Sequence, residues 1–325
     1  MPFQTAIVGL GIVGSSIGLA LKETGADFQI LGHDKDAETA KQCLRKGCVD
    51  RAEWNLINAC EHADLVVITT PLGEIKTTLQ AIGSYLKSGC VVTDTASVKA
   101  PVLAWAREAL PPNVHFVGGH PIAAMRMPWR DDVESTRDPD TPSAAHFHKG
   151  IYCLTPATDA PPEALQTVSD LAQAVGANPY FLDAAEHDGL NAGVEGLPLL
   201  LAVALQATAS SSPSWREMLR LAGADYAAVT QRLRGEAGDL AELLTLNAAN
   251  NQRWIDAFLN HLSALRELLT KEDDEQLRGV LADALEAHAG WTHQSAQPAS
   301  VDYSDFGVTR MMFGDMFKPR KPKEG

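Results

Sequence analysis

The chain has 325 residues, 45% of them hydrophobic, and a formal net charge of −14, which allows two domains with real cores and excludes a fibrous or low-complexity protein. The acidic balance, with Lys and Arg clustered only at the extreme C-terminus, argues against nucleic acid as a partner. Five scattered cysteines without a CxxC pair suggest reduced thiols rather than a disulfide framework or zinc site, and neither a leader nor an uninterrupted apolar stretch of membrane-span length is evident, so a cytoplasmic protein with no membrane contact is expected.

The first element is an apolar strand within Thr5 to Leu10, followed at once by Gly9-Leu-Gly11-Ile12-Val13-Gly14. In such a turn the first glycine permits the sharp strand-to-helix reversal. The second lets a pyrophosphate approach the backbone, and the third lets the helix lie close on its strand. The pyrophosphate then rests on the helix N-terminus. A GxGxxG alone is weak evidence, but here a helical pattern runs from Ser15 to Thr24, a short strand from Phe28 to Leu31, and an acidic residue, Asp34, stands 20 residues beyond Gly14. A carboxylate there accepts hydrogen bonds from the adenine ribose and repels the 2′-phosphate of NADP, which points to NAD; Lys35 is the neighbour able to tolerate a phosphate.

Further strands are expected at Leu65 to Thr70, Val91 to Asp94, His115 to Val117, Ile151 to Leu154 and Pro179 to Leu182, alternating with helices such as Ala37 to Lys46, Ile75 to Leu86, Val98 to Leu110 and Pro161 to Val175. Near-continuous apolar strands alternating with helices predict a doubly wound, mostly parallel Rossmann-type sheet over residues 1–182. Helical patterns then take over at Gly196 to Ala209, Trp215 to Leu221, Tyr226 to Leu244 and Ala248 to Leu269, predicting an all-helical second domain over 183–289 that closes a substrate cleft and forms a homodimer. Residues 290–325 read as an irregular tail, and the polar, Pro-containing stretch from Met125 to Ser143, with Arg126 and Arg130, reads as a surface loop near the cleft.

Ligands of such sheets bind outside the carboxyl ends of the strands. Three stretches are placed there. Thr70 and Pro71 follow the third main strand, with small surfaces that let a cofactor's ribose and nicotinamide approach. Ser97 follows the fourth, either as a helix N-cap or as a hydroxyl facing the cleft. His120 follows the fifth, between Gly118-Gly119 and Pro121. An imidazole near its ordinary pKa suits proton transfer when a carbinol loses hydride, so His120 is the candidate acid-base residue. A β-hydroxyacid dehydrogenase would need a lysine in its helical domain, and none occurs between Lys149 and Lys271.

These residues together resemble the prephenate and arogenate dehydrogenase family of tyrosine biosynthesis. The matching stretches are Val8 to Gly18, Thr93-Asp94-Thr-Ala-Ser97-Val-Lys99, Val117-Gly118-Gly119-His120-Pro121, Leu154-Thr-Pro156 and His187-Asp188. The resemblance implies an NAD-dependent oxidative decarboxylation of a cyclohexadienol, prephenate or arogenate. In it His120 accepts the proton of the ring hydroxyl, Ser97 orients that hydroxyl and His120, and Arg220, in a Trp215-Arg216-Glu217-Met-Leu-Arg220 stretch, holds a substrate carboxylate. One stretch departs from the family. Where it shows Ser-His-Leu-Pro-His, this chain has Glu195-Gly196-Leu197-Pro198-Leu199. Both histidines are missing, and the more acidic and more apolar replacement would favour an ammonium-bearing substrate such as arogenate, or signal a drifted, NAD-binding relative.

Overall fold

A computed structural model describes residues 2–123, 141–271 and 274–294. The chain divides into two compact units, the first reaching Ala184 and the second beginning at Ala185.

The first unit follows from alternation along its apolar strands. Ala6 and Val8 bury into one cluster while Ile7 between them buries into another. Val66 and Ile68 likewise part from Val67, and Phe116 from Val117. Strands apolar on both sides need cover on both sides, and helices supply it. The elements are β1 (Phe3–Val8), α1 (Ile12–Glu23), β2 (Phe28–His33), α2 (Ala37–Arg45), β3 (Arg51–Ala52), α3 (Leu56–Cys60), β4 (Leu65–Ile68), α4 (Leu72–Ile82), β5 (Val91–Asp94), α5 (Ala100–Ala109), β6 (His115–Ile122), β7 (Ile151–Pro156), α6 (Pro162–Ala174) and β8 (Asn178–Phe181). They form one eight-stranded sheet in the order β3-β2-β1-β4-β5-β6-β7-β8. Every pairing is parallel except β6 with β7. This is the Rossmann-type, doubly wound, mostly parallel sheet expected.

Three local features differ from the expectations. The two-residue β3 is too short to show a period. The stretch Gly118 to Ile122, read as a loop after a strand, is strand itself: it runs past the last residue of β6 paired with β5, Val117, and pairs antiparallel with β7. Ser97 is not a helix N-cap, because α5 begins at Ala100 with Lys99 in the capping position.

The second unit is all helical: α7 (Ala184–Asn191), a single π turn (Ala192–Gly196), α8 (Leu197–Ser210), α9 (Trp215–Met218), α10 (Ala224–Thr230), α11 (Ala237–Leu246), α12 (Ala248–Lys271) and α13 (Asp274–Gln294). The single helix expected over Tyr226 to Leu244 is two, separated by a turn through Gly235. The helical pattern does not fade at Gly290, since α13 continues to Gln294. The run Ala184–Ser210 is, by length and composition alone, long and apolar enough to cross a membrane, a property that Glu186, Asp188 and Glu195 conceal in the sequence by breaking up the apolar pattern. It is tied into this unit by polar bonds: Asn247 donates to the Asp188 carbonyl at 2.8 Å and Trp254 to the Gly189 carbonyl at 3.0 Å. Residues 124–140, with Arg126, Arg130 and most of the expected loop, and 295–325, with most of the expected tail, lie outside the described residues.

Candidate active site

The strand register builds a ledge. His33, Val8, Ile68 and Asp94 are cross-strand partners in sequence across β2, β1, β4 and β5, so four parallel strands end level. The residues just beyond them, Asp34, Gly9, Thr69 and Thr95, line one edge. All the first-unit candidates lie along it: the glycine turn beyond β1, Asp34 beyond β2, Thr70 and Pro71 beyond β4, Ser97 beyond β5, and His120 on the extension of β6.

The glycine turn has the form that a pyrophosphate needs. Gly9 has φ of +94°, and a Cβ on it would come within 2.8 Å of the Thr69 carbonyl carbon, so only glycine holds this bend without strain. A Cβ on Gly11 would instead meet nothing within 4 Å. That open space borders the first turn of α1, which has no side-chain cap and no acidic residue. Its uncapped N–H groups and the positive end of the helix dipole favour an anion there. Asp34 is fixed beside the turn: its carboxylate accepts from the Leu10 amide at 2.7 Å and from the Asp36 amide at 2.8 Å. Lys35 is engaged with Glu74 of α4, so the ammonium beside Asp34 is already neutralised. Thr70 Oγ1 is buried without a hydrogen-bond partner, a polar atom left for a ligand on this edge. The residues present fit a dinucleotide.

The end of the ledge that carries Ser97 and His120 is held by a network that the sequence pattern does not reveal. Lys99 and Asp94 form an ion pair in which neither side chain is exposed. Asp94 also accepts from the Ala96 amide at 2.9 Å and the Gly119 amide at 3.1 Å, while Lys99 donates to the Gly119 carbonyl at 2.6 Å. Ser97 therefore lies between two anchored residues, and His120 directly follows a residue bound through both its amide and its carbonyl. Gly119 must be glycine here, because a Cβ would come within 2.6 Å of the Asp94 carbonyl oxygen and 2.8 Å of the Tyr152 ring. Ser97 and His120 are both partly exposed. Tyr152 is wholly buried, and its hydroxyl pKa is pushed far up, first by burial and then by the Asp94 charge. An Asp five residues before a Lys after an apolar strand is a faint sequence signal, visible only once both are known to be buried.

A family model described as "Prephenate dehydrogenase, nucleotide-binding domain" matches residues 17–181, and one described as "Prephenate dehydrogenase, dimerization domain" matches residues 183–283. The chain belongs to the prephenate dehydrogenase family. Among its curated relatives are prephenate dehydrogenase of Bacillus subtilis, 26% identical over 83% of this chain and 71% of that protein, and cyclohexadienyl dehydrogenase of Zymomonas mobilis, 25% identical over 84% and 90%. Prephenate dehydrogenase of Aquifex aeolicus, solved in complex with hydroxyphenyl propionate and NAD+, shares the fold with a TM-score of 0.77 at 24% identity, covering 89% of this chain and 98% of that one. Within this family the first unit is the nucleotide-binding domain, and NAD is the cofactor that its glycine turn and Asp34 suit.

In the second unit, Arg220 lies exposed in the turn after α9, and none of the described carboxylates pairs with it. Three motif positions are substituted, Glu195, Gly196 and Leu199, and the first and last carry the side chains expected to make the pocket more acidic and more apolar. Leu199 is buried in the unit's interior. Glu195, in the π turn, is neutralised: it meets Arg232 at 2.9 Å and accepts from Asn191 at 2.8 Å. Neighbouring His187 and Asp188, both buried, face one another at 2.9 Å.

Proposed function

We propose that this chain is a cytoplasmic, NAD-dependent prephenate dehydrogenase that converts prephenate to 4-hydroxyphenylpyruvate with loss of CO₂. The observation that carries the reading is the placement of His120 at the carboxyl edge of the sheet, directly after a backbone unit clamped by Asp94 and Lys99. A side chain held on a rigid strand extension keeps the short distance that proton transfer requires.

Bound NAD supplies the acceptor for the hydride that leaves ring C4. His120 takes the hydrogen bond, and then the proton, of the C4 hydroxyl as its oxygen becomes a carbonyl. Ser97 orients that hydroxyl against the imidazole. As the ring carboxylate departs as CO₂, its electron pair flows through the ring to the C4 oxygen, which recovers the proton from His120 as a phenol. Aromatisation drives the sequence. Arg220 offers a fork of donors to the side-chain carboxylate.

Arogenate is the second substrate to weigh, since its ammonium would seek a free carboxylate. Glu195 is already paired with Arg232 and Asn191, which favours prephenate. The second unit supports a homodimer: Leu259, Leu262 and Leu269 of α12 and Val280, Leu281 and Leu285 of α13 are exposed in the single chain, an apolar display that a second copy would cover. The deciding measurement is NAD reduction by the purified protein with each substrate. Turnover of prephenate well above that of arogenate is expected; turnover of arogenate alone would reverse the assignment, and of neither would refute it.

A further inference from the structure

We propose that Trp54 is the stacking platform for the adenine of the dinucleotide, a cofactor-binding role set by β3, the strand the sequence pattern did not reveal. The proposal rests on the reading of the glycine turn and Asp34 as a dinucleotide site.

The register fixes where Trp54 stands. Gly32 of β2 is the partner of Ala52 of β3, and the pairing continues one step further: the Glu53 amide donates to the Gly32 carbonyl at 2.8 Å, and His33 Nδ1 lies 3.0 Å from the Glu53 carbonyl oxygen. Glu53 is therefore level with His33, and Trp54 level with Asp34 on the adjacent strand. A dinucleotide laid along this ledge has its pyrophosphate over the turn after β1 and its ribose at Asp34 after β2. The base joined to that ribose is carried outward, to the position after β3.

Chemistry agrees with position. Trp54 is 84% exposed, the second most exposed large apolar side chain among the described residues, and its ring makes no aromatic, hydrogen-bond or ionic contact among them. Its neighbours on each side are occupied in holding the backbone: Glu53 is buried, taking Arg51 at 2.6 Å and the Asn55 amide at 3.2 Å, and Asn55 caps α3 through the amides of Ile57 and Asn58. The indole thus stands largely exposed on a fixed backbone. On the other side of Asp34, the Lys35 to Glu74 ion pair ties the β2 edge to α4, removing the ammonium as a competing partner for the base. A flat π surface of this size stacks on a purine without sequence-like selectivity, and removing one such platform weakens binding about tenfold.

Calorimetric titration of NAD, ADP-ribose and nicotinamide mononucleotide into wild type, Trp54→Ala and Trp54→Phe tests this, because the chain's six tryptophans would blur a fluorescence signal. For Trp54→Ala, affinity for NAD and ADP-ribose is expected to fall about tenfold with nicotinamide mononucleotide unaffected, and Trp54→Phe is expected to recover most of the loss. Equal ADP-ribose affinity in wild type and Trp54→Ala would overturn the role of Trp54 and leave the dinucleotide site standing. An equal loss for nicotinamide mononucleotide would also overturn it, by showing a general disturbance. Failure of wild type to bind either adenine-containing ligand would overturn the site itself.

Discussion

Lys99 and Asp94 form a fully buried ion pair on either side of Ser97, and the pair grips the backbone of Gly119, the residue before His120. A charge in such a place is tolerable only while its partner is present, because removing one member leaves the other desolvated and unpaired. Lys99→Met is accordingly expected to destabilise the protein by about 3–5 kcal/mol, read from urea denaturation. The double variant Asp94→Asn with Lys99→Met should recover part of that loss. A single variant within about 0.5 kcal/mol of wild type would show that the pair contributes nothing to the fold, a range typical of surface substitutions.

His120 gives the sharpest test of the chemistry. General acid-base groups contribute about 10²- to 10⁴-fold, so His120→Ala should lower kcat with prephenate by a factor in that range while leaving NAD affinity unchanged. The separation is expected because the glycine turn and Asp34, the residues proposed to hold the cofactor, lie three and four strands away in the sheet order. Steady-state kinetics beside a binding titration checks both halves, and a variant with wild-type kcat would remove His120 from the mechanism.

The sequence carried the ledge better than it carried what braces it. Short apolar runs, Ala6 to Val8, Leu65 to Ile68 and Val91 to Val92, were enough to place β1, β4 and β5, because their residues are buried and little polar interrupts them, while the half-exposed β2 was placed by following the glycine turn and its helix. The end of β6 was illegible for the opposite reason. Gly118, Gly119 and Pro121 are turn formers by local propensity, and only the close approach of Asp94, Tyr152 and Thr155 explains glycine inside a strand. Burial also hid the Asp94 to Lys99 pair, since both residue types ordinarily sit in water. Glu195 was legible as a departure from its family but not as a neutralised one, because Arg232 lies 37 residues away in sequence.

The proposed role of Asp34 in choosing between the two nicotinamide dinucleotides is open to a direct test. With one carboxylate oxygen taking the Leu10 amide and the other the Asp36 amide, Asp34 cannot swing away to admit a 2′-phosphate, and Lys35 is held by Glu74. Asp34→Ser removes the repulsion. The ratio of NAD to NADP affinity is expected to fall by at least about tenfold, in keeping with the loss of one charge-assisted contact. Titration with both cofactors measures it, and an unchanged ratio would mean that the carboxylate does not face the ribose.

Asp50 predicts the acid limb of stability. It sits between α2 and β3, paired with Lys22 of α1 and accepting from the Ile30 amide at 2.8 Å. Partial burial pushes its pKa up, but the Lys22 hydrogen bond, the Ile30 amide and the Lys22 charge together outweigh burial and hold it below the ordinary value. A carboxyl whose folded pKa lies below its unfolded one contributes stability that is fully present above the unfolded pKa, about 3.9, and is lost as pH falls through the folded value. Asn at position 50 can still accept from the Ile30 amide, so Asp50→Asn isolates the charge. The two side chains are 34% and 38% exposed, and solvent screening limits the gain to under about 1 kcal/mol. Wild type should therefore exceed the variant by that small margin near neutral pH, and the margin should vanish well below about pH 4 and shrink in high salt. Denaturation curves at a series of pH values would show it; a difference that stays constant with pH would mean that the carboxylate charge plays no part.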